Sequence, residues 1–116
     1  MIVKKTYSFS SSHQLLDFPE GHQCKRLHGH NYKVVIECSG DVNDLGVVID
    51  FGDISKVVKP LIAELDHHHL NDVMEERNPT AERMCVWLAE RISIPQLSAI
   101  EVWETDTCCA RLSLVQ

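Results

Sequence analysis

The sequence predicts an α+β domain in the order β-β-α-α-β-β: an antiparallel four-stranded sheet with two helices on one face. Three observations predict it. Apolar residues alternate near both ends of the chain, they recur at spacings of three and four in the middle, and turn-forming residues punctuate the connections.

Over residues 2–11, Val3, Lys5, Tyr7 and Phe9 share one strand face, and the same parity reaches His13. Residues 14–27, punctuated by Pro19 and Gly21, read as a long irregular loop. A loop of that length in a small domain usually serves function. In the second strand, residues 30–38, Tyr32, Val34, Ile36 and Cys38 lie on one face, which His28 and His30 inherit. Asp41, Asn43 and Asp44, set between Gly40 and Gly46, form a turn, and residues 47–49 a short extended stretch.

Asp53 is the predicted N-cap of the first helix, whose stripe is Ile54, Val57, Val58, Leu61, Ile62 and Leu65. Pro60 falls inside that stripe and predicts a bend or a lost hydrogen bond. Residues 66–79 form a histidine-rich connection. Thr80, following Pro79, caps a second helix that buries Ala81, Met84, Cys85, Leu88, Ala89 and Ile92 and stops at Pro95. Residues 98–104 and 109–115 read as a hairpin about Thr105-Asp106-Thr107. A four-stranded sheet has two free edges, and free edges invite other subunits, so a homo-oligomer is expected.

The 116 residues read as one domain, 1–116, with 44% apolar and 24% charged residues. A formal charge of −6, with both signs mixed along the chain, argues against nucleic acid as a partner. No apolar run approaches the roughly 20 residues that span a bilayer, and Met1-Ile2-Val3-Lys4-Lys5 lacks the apolar stretch of a signal peptide. Five cysteines without a disulfide framework point to the reducing cytoplasm.

Chemistry concentrates in the histidines, seven in all, and all but His13 lie in 22–30 or 67–69. His28-Gly29-His30 offers two imidazoles on one strand face, and His13 stands at the end of the neighbouring strand. Three imidazoles without an obvious fourth protein ligand suit a catalytic zinc with an open position. An inward imidazole also needs a partner, because burying it unpaired is costly.

Cys24 precedes His28 by four residues, in a polar loop with Lys25 and Arg26. It reads as a small buried side chain, as a thiol placed for proton transfer, or as a further metal ligand. Asp66-His67 reads as a carboxylate–imidazole pair if a turn brings the two together. Otherwise this histidine run is a solvated helix cap, as at least one of His68 and His69 should be. Glu104 shares the parity of Ile100 and Val102, so it either points inward toward a multi-donor partner or reaches water at the strand end.

The motifs Phe9-Ser10-Ser11-Ser12-His13, Pro19 to His30, Gly46-Val47-Val48-Ile49-Asp50-Phe51, Leu65 to Asn71, Asn78-Pro79-Thr80-Ala81-Glu82 and Glu104-Thr105 occur in one order. Together they resemble the 6-pyruvoyl-tetrahydropterin synthase superfamily over nearly the whole chain. The Cys-x-x-x-His-Gly-His spacing is the form associated with its 6-carboxy-5,6,7,8-tetrahydropterin synthases of queuosine biosynthesis. The resemblance implies a tunnelling fold (T-fold) in which trimers close a barrel, two trimers stack into a hexamer, and active sites are shared between subunits.

It further implies Zn2+ on His13, His28 and His30, Cys24 as catalytic base, His67 with Asp66 as a second proton-transfer unit, and Glu104 as the anchor of a pterin substrate. The implied reaction takes 7,8-dihydroneopterin triphosphate to 6-carboxytetrahydropterin, releasing acetaldehyde and triphosphate. Pyruvoyl formation and non-catalytic pterin binding are the alternatives. His22, Lys25 and Arg26 are candidate phosphate contacts on charge and proximity alone. Cys108 and Cys109 match nothing in the family pattern.

Overall fold

The computed structural model describes residues 1–114. Strands β1 (Ile2–His13) and β2 (His28–Ser39) pair antiparallel along their whole length, from Ile2 opposite Ser39 to His13 opposite His28. Both outrun the predicted 2–11 and 30–38, because each supplies the other's hydrogen bonds to the last residue. The mutual register sets Phe9 on Tyr32, stacked at 5.0 Å between ring centroids, and Tyr7 on Val34. Strand β3 (Leu97–Thr105) adds Ile100 against Ile36 and Val102 against Val34, and β4 (Cys108–Ser113) closes the sheet in the order β1-β2-β3-β4. The last residue of the predicted strand 109–115, Val115, lies outside the described residues.

Helices α1 (Phe51–Leu65) and α3 (Ala81–Arg91) cover one sheet face. Ile54, Val58 and Leu65 of α1, with Met84, Cys85 and Leu88 of α3, join Tyr32, Val34, Ile36, Ile100 and Val102 in the core. Two local expectations change. The first helix is capped by Asp50, whose carboxylate accepts the Gly52 N–H at 2.7 Å. Asp53 instead falls in the first turn, where its charge meets the positive end of the helix dipole. Between residues 66 and 79 a short helix, α2 (Leu70–Val73), forms because Leu70 is buried beneath it. Pro60 sits on the exposed side of α1, where water can replace the missing hydrogen bond, and the helix runs through it to Leu65.

The loop between β1 and β2 is tied to α2 and to the segment after it. Gln14 exchanges two hydrogen bonds with the Asn71 side chain, at 2.9 and 2.8 Å. Asp17 receives the Arg77 guanidinium at 2.9 Å and the Asn78 amide at 2.9 Å. On the sheet face away from the helices, Arg111 pairs with Glu37 and, at 2.8 Å, with Glu101. Among the described residues no helix is long and apolar enough to cross a membrane.

Leu88 is fully buried. Leu88→Ala should cost about 2–5 kcal/mol in urea unfolding, through lost transfer free energy plus the cavity left behind. Arg111 holds the Glu37 carboxyl below the usual carboxylate range. A lowered folded pKa contributes stability above the unfolded value and loses it as pH falls through the folded one. Glu37→Gln should therefore flatten the fall in thermal midpoint below about pH 4 relative to the unsubstituted protein.

Candidate functional site

The register that pairs His13 with His28 gathers three imidazoles at one end of the sheet. The ligand atoms of His13, His28 and His30 all lie within 4.8 Å of one another. Gly29 makes the approach possible: a Cβ there would meet the Ser11 carbonyl oxygen at 3.1 Å. His13 is fully buried, and burial holds the pKa of both His13 and His30 below the ordinary histidine value. Neutral rings are what a metal needs.

The other ring nitrogens set the orientation. His13 Nδ1 donates to the Pro79 carbonyl at 3.0 Å, and His28 Nδ1 donates to the Arg26 carbonyl at 2.6 Å. A carbonyl can only accept, so each neutral ring keeps its proton on Nδ1 and presents a bare Nε2. Those two Nε2 atoms face each other at 2.9 Å. His30 Nε2 is buried and makes no hydrogen bond. Lone pairs aimed at one another repel unless a cation lies between them. For zinc, with bonds of about 2.0–2.1 Å, tetrahedral donors would stand about 3.3 Å apart. The donor set therefore fits a metal ion.

A cavity of about 410 Å³ opens beside the triad, lined by Cys24, His28, His30 and Glu104 and completed by Gln23, Thr105 and Cys108. Glu104 keeps its inward parity, with Oε1 at 3.3 Å from His30 Nε2 and 3.5 Å from His13 Nε2. Cys24 sits in a 3-10 turn, Gln23–Lys25, whose backbone is capped by the His22 ring accepting the Cys24 N–H at 3.0 Å. His22 thus has a structural task, and Lys25 spends its charge on Glu20 at 2.5 Å. A larger cavity of about 460 Å³, between Glu76 and the outer side of α3, is lined by neither histidine nor cysteine.

Asp66 and His67 do meet, with Oδ1 and Nδ1 at 2.9 Å. The turn they need comes from His67 itself, at φ 57°. Asp66 Oδ1 also accepts the Ser10 N–H at 3.0 Å, and His67 N–H donates to Ser10 O at 2.6 Å. The Ser10 N–H first, and then His67, hold the Asp66 carboxyl below its usual range. These bonds fasten the pair to the outer edge of β1, where His67 is 81% exposed. Neither residue lines the cavity that holds Cys24. His68 Nδ1 donates to the Asp66 carbonyl at 2.8 Å, as a helix-end cap should, and His69 bonds Ser12 Oγ at 3.0 Å.

A family profile described as 6-pyruvoyl tetrahydropterin synthase matches residues 2–114. The chain belongs to the 6-pyruvoyl tetrahydropterin synthase family. It is 35% identical over 119 residues to a 6-carboxy-5,6,7,8-tetrahydropterin synthase of Synechocystis sp., covering 95% of this chain and 91% of the relative. It is 36% identical over 85 residues to a dihydroneopterin monophosphate aldolase of Pyrococcus furiosus, covering 69% and 72%. The T-fold is shared with the Caenorhabditis elegans 6-pyruvoyl tetrahydropterin synthase structure, with TM-score 0.85, 21% identity, and 97% and 94% of the two chains covered.

Some site residues had no readable sequence signal. Cys108 matches no motif, and only the hairpin closure brings it to the cavity beside Thr105. The carbonyls of Pro79 and Arg26 carry no side-chain signature at all. His28→Ala should lower affinity for a divalent cation by at least about tenfold, measured by competition with a chromophoric chelator. Cys24→Ala should leave that affinity unchanged, since its sulfur stands outside the group of three nitrogens.

Proposed function

We propose that this chain is a zinc-dependent 6-carboxy-5,6,7,8-tetrahydropterin synthase, a lyase of queuosine (7-deazapurine) biosynthesis. It would convert 7,8-dihydroneopterin triphosphate to 6-carboxytetrahydropterin with release of acetaldehyde and triphosphate. The observation that carries this reading is the cluster of three metal-competent imidazoles, two of which, His28 and His30, share one cavity with Cys24 and Glu104. The name of the Synechocystis relative supports the product assignment.

His13, His28 and His30 would hold a zinc ion, which would supply Lewis-acid polarisation of the substrate's side-chain oxygens and so acidify the adjacent C–H. Cys24, as thiolate, takes a proton from that side chain. Asp66 fixes the His67 tautomer, and His67 returns a proton to the pterin. Glu104 accepts the N–H donors on the guanidine-like edge of the ring. The reducing cytoplasm suits an enzyme that depends on a free thiolate.

Because Asp66-His67 lies across the β1 edge from the cavity, the complete site joins Cys24 of one subunit to His67 of a neighbour. The chain then works as a homo-oligomer, a trimer or hexamer, in keeping with a sheet that ends in the edge strands β1 and β4. A second reading, aldol cleavage of a dihydroneopterin phosphate, is favoured by the Pyrococcus furiosus relative.

Mass spectrometry of the products from 7,8-dihydroneopterin triphosphate tests the assignment. A carboxylated tetrahydropterin with acetaldehyde supports it. A pyruvoyl product, aldol-cleavage products, or binding without turnover each replaces it. Cys24→Ala and His67→Ala should each abolish turnover, and co-expressing the two should restore part of it. Failure of the mixed oligomer to recover would show that one chain supplies both groups.

A further inference from the structure

The three imidazoles are not held alike. Backbone carbonyls take the Nδ1 protons of His13 and His28. The buried Nε2 of His30 makes no hydrogen bond, so ring contacts carry much of that side chain's placement. His13 also lacks one restraint from its carbonyl alone. A single hydrogen bond fixes a line and leaves the ring free to turn about it. Such a turn at Nδ1 swings Nε2, the atom that faces His28.

Tyr32 meets both needs. It stands two residues beyond His30 on the same face of β2, is 1% exposed, and is stacked on Phe9 at 5.0 Å. Its hydroxyl lies 3.4 Å from His13 Nδ1, the nitrogen whose proton also meets the Pro79 carbonyl at 3.0 Å. One N–H is thus shared between two acceptors, and two acceptors define a plane where one defines a line. The Tyr32 ring meets His30 edge to face, with centroids 5.5 Å apart at 79°, and His13 at 6.1 Å and 89°. Both pairs have the edge-on geometry that aromatic rings favour at about 4.5–7 Å.

We propose that Tyr32 is the positioning residue of the triad: its hydroxyl sets the tilt of His13 through Nδ1, and its ring sets the plane of His30. The proposal rests on the zinc reading above. Tyr32 does not line the cavity, so it acts through the imidazoles and not on a substrate. It is also a member of the apolar core. Packing beneath the sheet is thereby passed to the metal-facing nitrogens through one phenol, as outer partners of metal ligands do.

The test needs no turnover. Tyr32→Phe removes one oxygen and keeps the ring and its stack on Phe9. The full chain is stripped of metal, reloaded with Co2+, and followed by visible absorption and chelator competition, with circular dichroism and thermal unfolding as controls for folding. Tyr32→Phe should alter the Co2+ spectrum and weaken binding about tenfold. Tyr32→Leu, which also removes the edge against His30, should approach about a hundredfold. In zinc-loaded protein with isotope-labelled histidine, the Nδ1 proton resonance of His13 should move in Tyr32→Phe, while that of His28, held by Arg26, stays. A merely structural role would lower the thermal midpoint and leave spectrum, affinity and resonance as they were.

Native Co2+ affinity, spectrum and His13 resonance in a folded Tyr32→Phe would overturn the proposal. Should that variant not fold, the unsubstituted protein decides: a nuclear Overhauser contact between the His13 Nδ1 proton and the Tyr32 ring supports the shared bond, and its absence overturns it. Failure of the zinc reading itself looks different, because His28→Ala would then bind Co2+ as tightly as the unsubstituted protein.

Discussion

The antiparallel pairing of β1 with β2 in one register is the constraint on which the rest of the molecule depends. It places His13 opposite His28 and Ser11 opposite His30, so three rings project from one face of one end of the sheet. A slip of one residue would turn His28 and His30 away from the helices together with Tyr32, Val34 and Ile36. Core and metal group are therefore specified by the same hydrogen bonds. The apolar surface buried along the strands is what holds the imidazoles together, and burial of His13 is offset by its bonds rather than tolerated as a defect.

Backbone groups from outside the sheet finish the triad. The carbonyl that orients His13 belongs to Pro79, one residue before the Thr80 cap of α3. The one that orients His28 belongs to Arg26, at the end of the turn that carries Cys24. The long β1–β2 loop is in turn bound to the segment 71–78 through Asn71, Arg77 and Asn78. Loop order, ring orientation and the start of α3 are thus one mechanical unit. A change in the loop would be felt at the nitrogens before it was felt in the core.

Charge is divided between the two sheet faces. The helix-covered face holds the three imidazoles and the partly exposed Glu104, whereas the opposite face carries the Arg111–Glu37–Glu101 network and Lys33 over the Trp103 ring. A paired and hydrogen-bonded network can occupy an open face without a metal. The imidazole group instead turns ring nitrogens toward one another, an arrangement that a metal ion would satisfy.

Periodicity by itself determined the strands, the two long helices, and the shared face of His13, His28 and His30, since side-chain direction along a strand or helix is a local property; for Glu104 it left two directions, and the structure chose the inward one. It also placed Asp66 beside His67 and named the turn their contact would require. Tertiary structure alone decided that Asp50 rather than Asp53 caps α1, because the cap is chosen by where the chain enters the core. It alone supplied the Pro79 and Arg26 carbonyls, which have no side-chain signature, and brought Cys108 to the cavity by closing a hairpin. And it set Asp66-His67 on the far edge of β1 from Cys24, because which edge a connection crosses depends on contacts distant in sequence.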